Sequence, residues 1–229
     1  MVYPDVVTAL MDADRLVDER RFDGMVVFTV PSASGHTVVL RATKYYSPPM
    51  QVNDDVLMTG LKFVAGAIQT RDLTYIENFS ITTGPFPPLP QPAFSVLLPA
   101  SAAAQWISGV LPRLTASDLG SYNAIQIFAW RGSRFGRPLF RAPRTEESLV
   151  GFAVIRYAAN AEQSARMVEA NRRLFEESRA LGATVYPFSA VKLSKSEWQQ
   201  HYGDEFKALA RSKHRYDSRN VLASGPDIF

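Results

Sequence analysis

The order of strands and helices in the second half of the sequence is the feature that most limits its fold. From residue 93 onward the sequence predicts the order strand, helix, strand, strand, helix, strand. The two middle strands, "NAIQIFAW" and "SLVGFAVIRY", are joined around residues 131 to 148, and this connection is too short for a parallel crossover. We therefore expect an α+β fold, with a largely antiparallel sheet flanked by helices on one side.

The first half of the sequence adds an opening helix and a pair of strands. Residues 5 to 18 predict a helix with Asp5 as its cap. The stretches "FDGMVVFTV" and "HTVVLRATKYY" predict a hairpin or two neighbouring strands. "NDDVLMTGLKFV" predicts a short helix, whereas "QTRDLTYIENFSI" mixes strand and helix signals and its state stays open. The proline-rich residues 84–92 exclude helix and central strand, so we expect a loop there.

Two further helices have recognisable ends. The first extends from about Ala161 to Leu181, with Asn160 as a possible cap and Gly182 as a left-handed stop. The strand "ATVYPF" follows it. A capping box that begins at Ser194 predicts one last helix. Its apolar line consists of Trp198, Tyr202, Phe206 and Leu209.

Composition excludes several classes of protein. The chain is 46% hydrophobic and 21% charged, which is typical of a globular domain. The net charge is +3, and bases alternate with acids in the last forty residues, so we expect a solvated helix face and no nucleic-acid partner. Without cysteine there is no disulfide and no sulfur-ligated metal. Short apolar stretches and an acidic opening predict no membrane span and a cytoplasmic location.

Candidate catalytic groups are few. The three histidines lie far apart and lack the spacing of a metal pair, so we expect no metal site. Glu146 and Glu147 precede an apolar strand, where a carboxylate could point into a pocket mouth, although solvated loop acids are the more common case. The candidate pocket walls are aromatic residues on strands, and core packing is the alternative role for each. They are Phe128, Trp130, Phe152 and Tyr157. Because side chains alternate along a strand, only about half of them can face a pocket.

The ends of the chain carry a family resemblance. Trp198-x-x-His201-Tyr202-Gly203 and the later Gly225-x-x-Ile228-Phe229 stand at spacings similar to those of the C-terminus of cytokinin dehydrogenases and related FAD-linked oxidases. The opening Tyr3 to Val17 resembles the helix with which the substrate-binding cap domain of that family starts. The resemblance extends over essentially the whole chain, but over only the second part of the family's proteins.

The resemblance implies the cap domain of vanillyl-alcohol-oxidase-like flavoproteins, with an antiparallel sheet arching over the isoalloxazine. Residues 1–190 would form the substrate-binding domain, and residues 191–229 would form a helix and tail that pack on an FAD-binding domain. That FAD-binding domain, as an N-terminal part or a separate chain, is the expected partner. The general base that accepts the substrate's proton is expected there and not among these residues.

The resemblance also implies a reaction and site residues. A small amine-type substrate would be oxidised at a C–N bond, with hydride transfer to FAD and hydrolysis of the resulting imine. Either Glu146 or Glu147 would lie near the substrate channel. The positions expected to contact the cofactor are Tyr186, Ser224, Pro226 and Asp227.

Departures from the family pattern make the substrate less certain than the class. Ala93 stands where the family has tryptophan, and Phe128-Ala129 stands where the family has Tyr-Pro. Pro226 replaces a glutamine, so no side-chain donor remains there. With these changes, the resemblance supports the flavoprotein class but does not support cytokinin as the substrate. The alternative is a stand-alone module, derived from such a cap, that binds a ligand or partner without redox activity.

Overall fold

The structure is a computed structural model that describes residues 1–32, 35–83, 87–120, 124–222 and 227–229. Over these ranges, one antiparallel sheet of seven strands has the order β1-β3-β2-β5-β6-β4-β7. The strands are β1 Val2–Tyr3, β2 Gly24–Ser32, β3 Gly35–Thr43, β4 Phe94–Pro99, β5 Ala124–Arg131, β6 Ser148–Ile155 and β7 Thr184–Val185. The helices are α1 Val6–Glu19, α2 Asp54–Met58, α3 Tyr75–Thr83, α4 Ala100–Val110, α5 Ala116–Leu119, α6 Ala161–Arg179, α7 Lys195–Tyr202 and α8 Glu205–Tyr216. The prediction of an α+β fold is confirmed.

One face of the sheet forms the core. Val27 on β2 lies opposite both Leu40 on β3 and Ile127 on β5, and Ile127 lies opposite Phe152 on β6. These apolar side chains are cross-strand neighbours, the pairs that stabilise a sheet most directly. All four are buried. The sheet is therefore held together through this face.

Helices α1, α4 and α6 cover much of the core face. Leu10 on α1, Ile107 on α4 and Phe175 on α6 belong to one buried cluster with the strand residues. Helix α4 connects β4 to β5, and α6 connects β6 to β7. Each of these connections skips one strand of the sheet, so each joins parallel strands, for which a helix provides the required length. Placement of these helices on one side of the sheet agrees with the prediction.

Local signals set most helix ends. Asp5 Oδ1 accepts a hydrogen bond from Thr8 N at 2.8 Å, and Asn160 Oδ1 accepts one from Gln163 N at 2.9 Å. Both caps were expected from the sequence. The segment around residue 75, whose secondary structure the sequence pattern did not decide, forms the helix α3. Its start is stabilised because Thr74 N donates to Glu77 Oε2 at 2.7 Å and Glu77 N donates back to Thr74 Oγ1 at 3.3 Å.

The expectation of one continuous last helix is wrong. The helix ends at Tyr202, and α8 begins at Glu205, because Gly203 has φ +55° and ψ −131°. Residues other than glycine rarely adopt this conformation. Trp198 and Tyr202 on α7 pack into the same buried cluster as the sheet, whereas α8 has no buried residue. The predicted division between residues 190 and 191 stays a prediction.

Candidate functional site

The face of the sheet opposite α1, α4 and α6 carries a set of aromatic side chains. On β5, Ile125 and Ile127 point into the core, so the alternating residues Phe128 and Trp130 lie on the other face. Their rings stack at a centroid distance of 5.4 Å and an interplanar angle of 13°. We call this side the open face, defined by Phe28, Arg41, Phe128 and Trp130.

A glycine on the neighbouring strand makes room for this stack. Gly151 on β6 lies opposite Phe128. A Cβ atom at Gly151 would be 3.0 Å from Trp130 Cζ3 and 3.5 Å from Phe128 Cδ2. The indole ring can therefore approach the backbone of β6 closely, as glycine in a strand often permits.

The stack continues across the sheet as an aromatic row. The consecutive ring pairs, from β5 through the following loop to β7 and beyond, are 5.4, 5.4, 4.8, 5.4 and 5.2 Å apart. The members of the aromatic row are Phe128, Trp130, Phe135, Phe140, Tyr186 and Phe188. Neighbouring rings either stack or meet edge to face, which are the two preferred geometries of aromatic pairs.

Hydrogen bonds hold the loop that supplies the middle of the aromatic row. Gly132 N donates to Glu147 O at 2.7 Å where the loop leaves β5. Further along, Thr184 Oγ1 donates to Arg141 O at 2.9 Å, and Arg141 Nε donates to His201 O at 3.0 Å. The loop is thus fixed to β7 and α7, which places Phe135 and Phe140 beside Tyr186.

A groove lies beside Phe128 on the open face, with a volume of about 280 Å³. One wall is α3, where Tyr75 and Phe79 stack at 6.4 Å, and Tyr45 lies 6.1 Å from Tyr75. Asn78 Nδ2 donates to Tyr45 Oη at 3.4 Å and joins this wall to the end of β3. The groove is lined by Gly24, Met25, Val26, Arg41, Thr43, Tyr45, Tyr75, Asn78, Phe79 and Phe128. It can accommodate a flat, largely apolar molecule.

A larger cleft of about 560 Å³ lies beside Trp130 and Phe135 of the aromatic row, and the C-terminal part of α1 lines it too. Arg131 lines this cleft, but its guanidinium already forms two salt bridges. Nη1 lies 2.6 Å from Asp14 Oδ1, and Nε lies 2.8 Å from Asp18 Oδ1. Hydrogen bonds to Asp18 and Asp14 raise the pKa of Arg131 above its ordinary value. The guanidinium of Arg131 therefore fixes α1 to β5.

The structure brings together only some of the residues predicted from the sequence. Phe128 and Trp130 lie on the open face, and Tyr186 lies with them in the aromatic row. Phe152 is instead fully buried on the core face, with its ring 6.4 Å from Phe94 and 5.2 Å from Trp106. Tyr157 is also buried, and its hydroxyl accepts a hydrogen bond from Gln91 at 3.1 Å.

The two predicted carboxylates, Glu146 and Glu147, accept hydrogen bonds from serine residues elsewhere in the chain. Glu146 accepts hydrogen bonds from the Ser101 hydroxyl and from Ser101 N, the latter at 3.1 Å, at the start of α4. These bonds lower the pKa of Glu146 below its ordinary value. Glu147 accepts from Ser133 N at 3.1 Å. A role for either carboxylate at a substrate channel stays a prediction.

The predicted cofactor positions near the C-terminus lie mostly outside the described residues. Ser224 and Pro226 belong to the residues that are not described. Asp227 is exposed, with φ +56°. In the parts of the chain that are described, no group of histidine and carboxylate residues could hold a metal ion. Across the same described residues, no helix is both long and apolar enough to cross a membrane.

Sequence reasoning missed the groove. Tyr75 and Phe79 stand four residues apart, and Thr74 and Glu77 form the capping box that precedes them. That box was the available signal for α3. Arg41, Phe135 and Phe140 carried no comparable signal, because their contacts are made by residues far away in the sequence.

The sequence matches the family model described as cytokinin dehydrogenase 1, FAD and cytokinin binding, over residues 19–229. An uncharacterised oxidoreductase, ORF5 of the fasciation locus of Rhodococcoides fascians, is 29% identical over 97% of this chain and 52% of its own length. Cytokinin dehydrogenase 5 of Oryza sativa subsp. japonica is 27% identical over 86% of this chain and 40% of its own length. The chain thus spans about half or less of the length of these curated relatives.

Solved structures show the same fold at low identity. 6-Hydroxy-D-nicotine oxidase from Arthrobacter nicotinovorans aligns with a TM-score of 0.58 and 16% identity, over 99% of this chain and 53% of its own. The VAO-type flavoprotein MtVAO615 from Myceliophthora thermophila aligns with a TM-score of 0.63 and 18% identity, over 97% of this chain and 44% of its own. These alignments support the fold, whereas the family rests on the sequence match.

Proposed function

Because this chain belongs to the FAD- and cytokinin-binding family of cytokinin dehydrogenases, we propose that it forms the substrate-binding and C-terminal portion of an FAD-dependent oxidoreductase. The proposed reaction is oxidation of a C–N bond in a small amine-type substrate. The relatives are about twice as long as this chain. The proposed partner is therefore an FAD-binding portion, either in the same polypeptide or in a separate chain, and the proposed location is the cytoplasm.

The observation that carries this proposal is the aromatic row with its adjoining groove. A strip of large apolar rings that is only partly covered is unfavourable in water and can mark a binding surface. Phe188, at the end of the row, is 51% exposed, and Tyr186 beside it is half-buried. Stacking surfaces of this kind fit a flat cofactor ring above the sheet and a flat substrate in the groove.

The chain's own residues would bind and orient. We assign Phe128 and the α3 wall to the substrate, and Tyr186 with Asp227 to the cofactor side. Ser224 and Pro226 keep their proposed cofactor contacts, although they lie outside the described residues. When bound, the flavin would supply the redox chemistry by accepting hydride from the carbon next to the substrate nitrogen.

The removal of the substrate proton is assigned to the partner portion. The lining of the groove, as far as the described residues form it, includes no carboxylate and no histidine. Glu146 or Glu147 could approach a substrate channel only by giving up hydrogen bonds to Ser101 or Ser133. Within this chain, the proposed contribution is therefore positioning and the exclusion of water.

The test is to purify the chain alone and together with an FAD-binding portion of its family, and to record visible absorbance. We expect no flavin bands for the chain alone. With both portions, we expect flavin bands that bleach when an N-alkylated aromatic amine is added without oxygen.

Two results would contradict the proposal. The first is a chain that stays folded and monodisperse and shows no association with the FAD-binding portion. The second is a complex that holds flavin but bleaches with none of a panel of amines. The first result would favour the stand-alone binding module.

A further inference from the structure

Among the described residues that line the groove on the open face, Arg41 is the one cation, and none is an anion. Arg41 on β3 lies opposite Val26, with Cζ 5.4 Å above the ring centroid of Phe28. Its guanidinium forms no ion pair or hydrogen bond in the described residues, and these include every aspartate and glutamate of the chain. Arg41 therefore keeps its five N–H donors for a ligand.

Two acidic residues close in sequence to the groove-lining residues, Asp23 and Glu77, already have other hydrogen-bond partners. Asp23 accepts from Tyr45 N at 2.6 Å and pairs with Lys44 Nζ at 3.3 Å. Glu77 is hydrogen-bonded to Thr74 at the start of α3. Neither carboxylate neutralises Arg41, so the groove has a net positive character.

We propose that this groove selects planar aromatic ligands that carry an anionic group, a carboxylate or a phosphate, and that Arg41 is the residue that determines this specificity. The aromatic walls would hold the ring, and the guanidinium would donate charge-assisted hydrogen bonds to the anion. A ligand with a cationic amine would be repelled by the same guanidinium, whereas the N-alkylated aromatic amine of the proposed function has an uncharged nitrogen at neutral pH and would not be repelled. This inference rests on the proposed function for the role of the groove, but its charge preference can be measured without flavin.

The test compares naphthalene ligands of similar shape but different charge. Naphthoate, naphthamide and naphthylmethylammonium are titrated into the 229-residue chain by calorimetry. We expect naphthoate to bind at least about tenfold more tightly than naphthamide, and naphthylmethylammonium to bind most weakly. Naphthyl phosphate, as a fourth ligand, shows whether the groove prefers a carboxylate or a phosphate.

Variants assign the preference to Arg41. Arg41→Gln is expected to reduce the difference between the anion and the amide to less than about twofold. Arg41→Lys keeps the charge without the planar fork, so it should still prefer the anion, though less strongly. Arg211→Gln removes an equal charge from an exposed position on α8 and should leave all affinities unchanged.

Several results would overturn the inference. They are no binding of any of these ligands, equal binding of the three charge types, or an anion preference that survives in Arg41→Gln. Circular dichroism identifies a variant that fails to fold, in which case Arg41→Lys decides. An unchanged charge order together with a failed flavin assay would count against the proposed function only.

Discussion

The buried guanidinium of Arg156 joins three segments of the chain through hydrogen bonds. It is fully buried, and its guanidinium donates to Pro92 O at 3.2 Å, Asp118 O at 2.7 Å and Met167 O at 2.9 Å, and also to Asn171 Oδ1. Burial lowers the pKa of Arg156 to about 10, so the group is still charged at neutral pH. One residue thus joins the entry to β4, the short helix α5 and the middle of α6.

Replacement of Arg156 by methionine should lower the free energy of unfolding by about 2–4 kcal/mol, because several buried acceptors lose their donor. Urea denaturation measures this loss. Arg166→Met is the matched control on α6, since Arg166 is exposed and pairs with Glu162 one turn away, and should change stability by less than about 0.5 kcal/mol. Equal effects of the two substitutions would show that the buried network contributes nothing.

Two side chains, Glu197 and His201, make the free energy of unfolding depend on pH below about 6.5. Hydrogen bonds from Arg172 and Ser194 lower the pKa of Glu197 from 4.5 to about 2. Burial, and then the charge of Arg141, lower the pKa of His201 from 6.5 to about 4. In both cases the unfolded chain takes up the proton first as the pH falls. Stability should therefore decrease from pH 6.5 to about 4 through His201, and from pH 4.5 to about 2 through Glu197.

Glu197→Gln should lower the free energy of unfolding at neutral pH by about 1–3 kcal/mol, because a charged acceptor of the Arg172 hydrogen bonds is lost. It should also reduce the slope of stability with pH below 4.5 and leave the upper range unchanged. Urea titrations at a series of pH values measure both effects. Glu169→Gln, at an exposed position of α6, is the control. An unaltered slope in Glu197→Gln would contradict the assignment.

At the scale of elements, the break between α7 and α8 distinguishes a pattern in sequence from a conformation in space. If the two formed one helix, Gly203→Ala would stabilise the chain by about 1 kcal/mol. With Gly203 at φ +55°, we expect the substitution to destabilise it by about 1–3 kcal/mol, although the nearest atom to the new Cβ, Arg141 Nη2, would be 3.8 Å away. Thermal unfolding reports the sign.

Gly109→Ala is the matched control for that prediction. Gly109 lies inside α4, and an added Cβ would meet no other atom within 4 Å. This substitution should stabilise the chain by about 0.5–1 kcal/mol. If both glycine substitutions stabilised the chain, this result would contradict a helix break at Gly203.

At the scale of the whole molecule, apolar surface remains uncovered near the C-terminus. Val221 and Leu222 are 73% and 65% exposed, although Asp217 Oδ1 accepts a hydrogen bond from Val221 N at 2.7 Å and fixes the turn that carries them. The proposed function assigns this surface to the FAD-binding portion. The ring centroid of Phe229 lies 6.1 Å from that of Phe206, so Phe229 packs against α8.

Substitution of Val221 and Leu222 by serine should leave the unfolding free energy of the chain within about 0.5 kcal/mol, because both side chains are exposed. Association with the FAD-binding portion should weaken by at least about tenfold, since central apolar contacts dominate such interfaces. Analytical ultracentrifugation measures the association. Val56→Ser on α2, which is 63% exposed, is the control. If the double variant associated as tightly as the unsubstituted chain, Val221 and Leu222 would not belong to the proposed interface.

The sequence by itself determined the local elements of this protein. Helix caps such as Asp5 and Asn160 act within four residues, and strand patterns act between neighbouring positions, so these signals can be read without a structure. The short connection between β5 and β6 was enough to predict antiparallel pairing and the α+β class. The family resemblance added a predicted partner, an FAD-binding portion, and a predicted cofactor, FAD.

Only the tertiary structure decided which aromatic residues share a surface. Phe128 and Phe152 look equivalent in sequence, but the pairing of β5 with β6 puts Phe152 on the core face, and a shift of one residue would reverse that. The aromatic row and Arg41 depend on strand order and on a loop fixed by Thr184 and His201. The physical reason is range: caps and alternation act between neighbours in the chain, whereas the groove is formed by residues that only folding brings together.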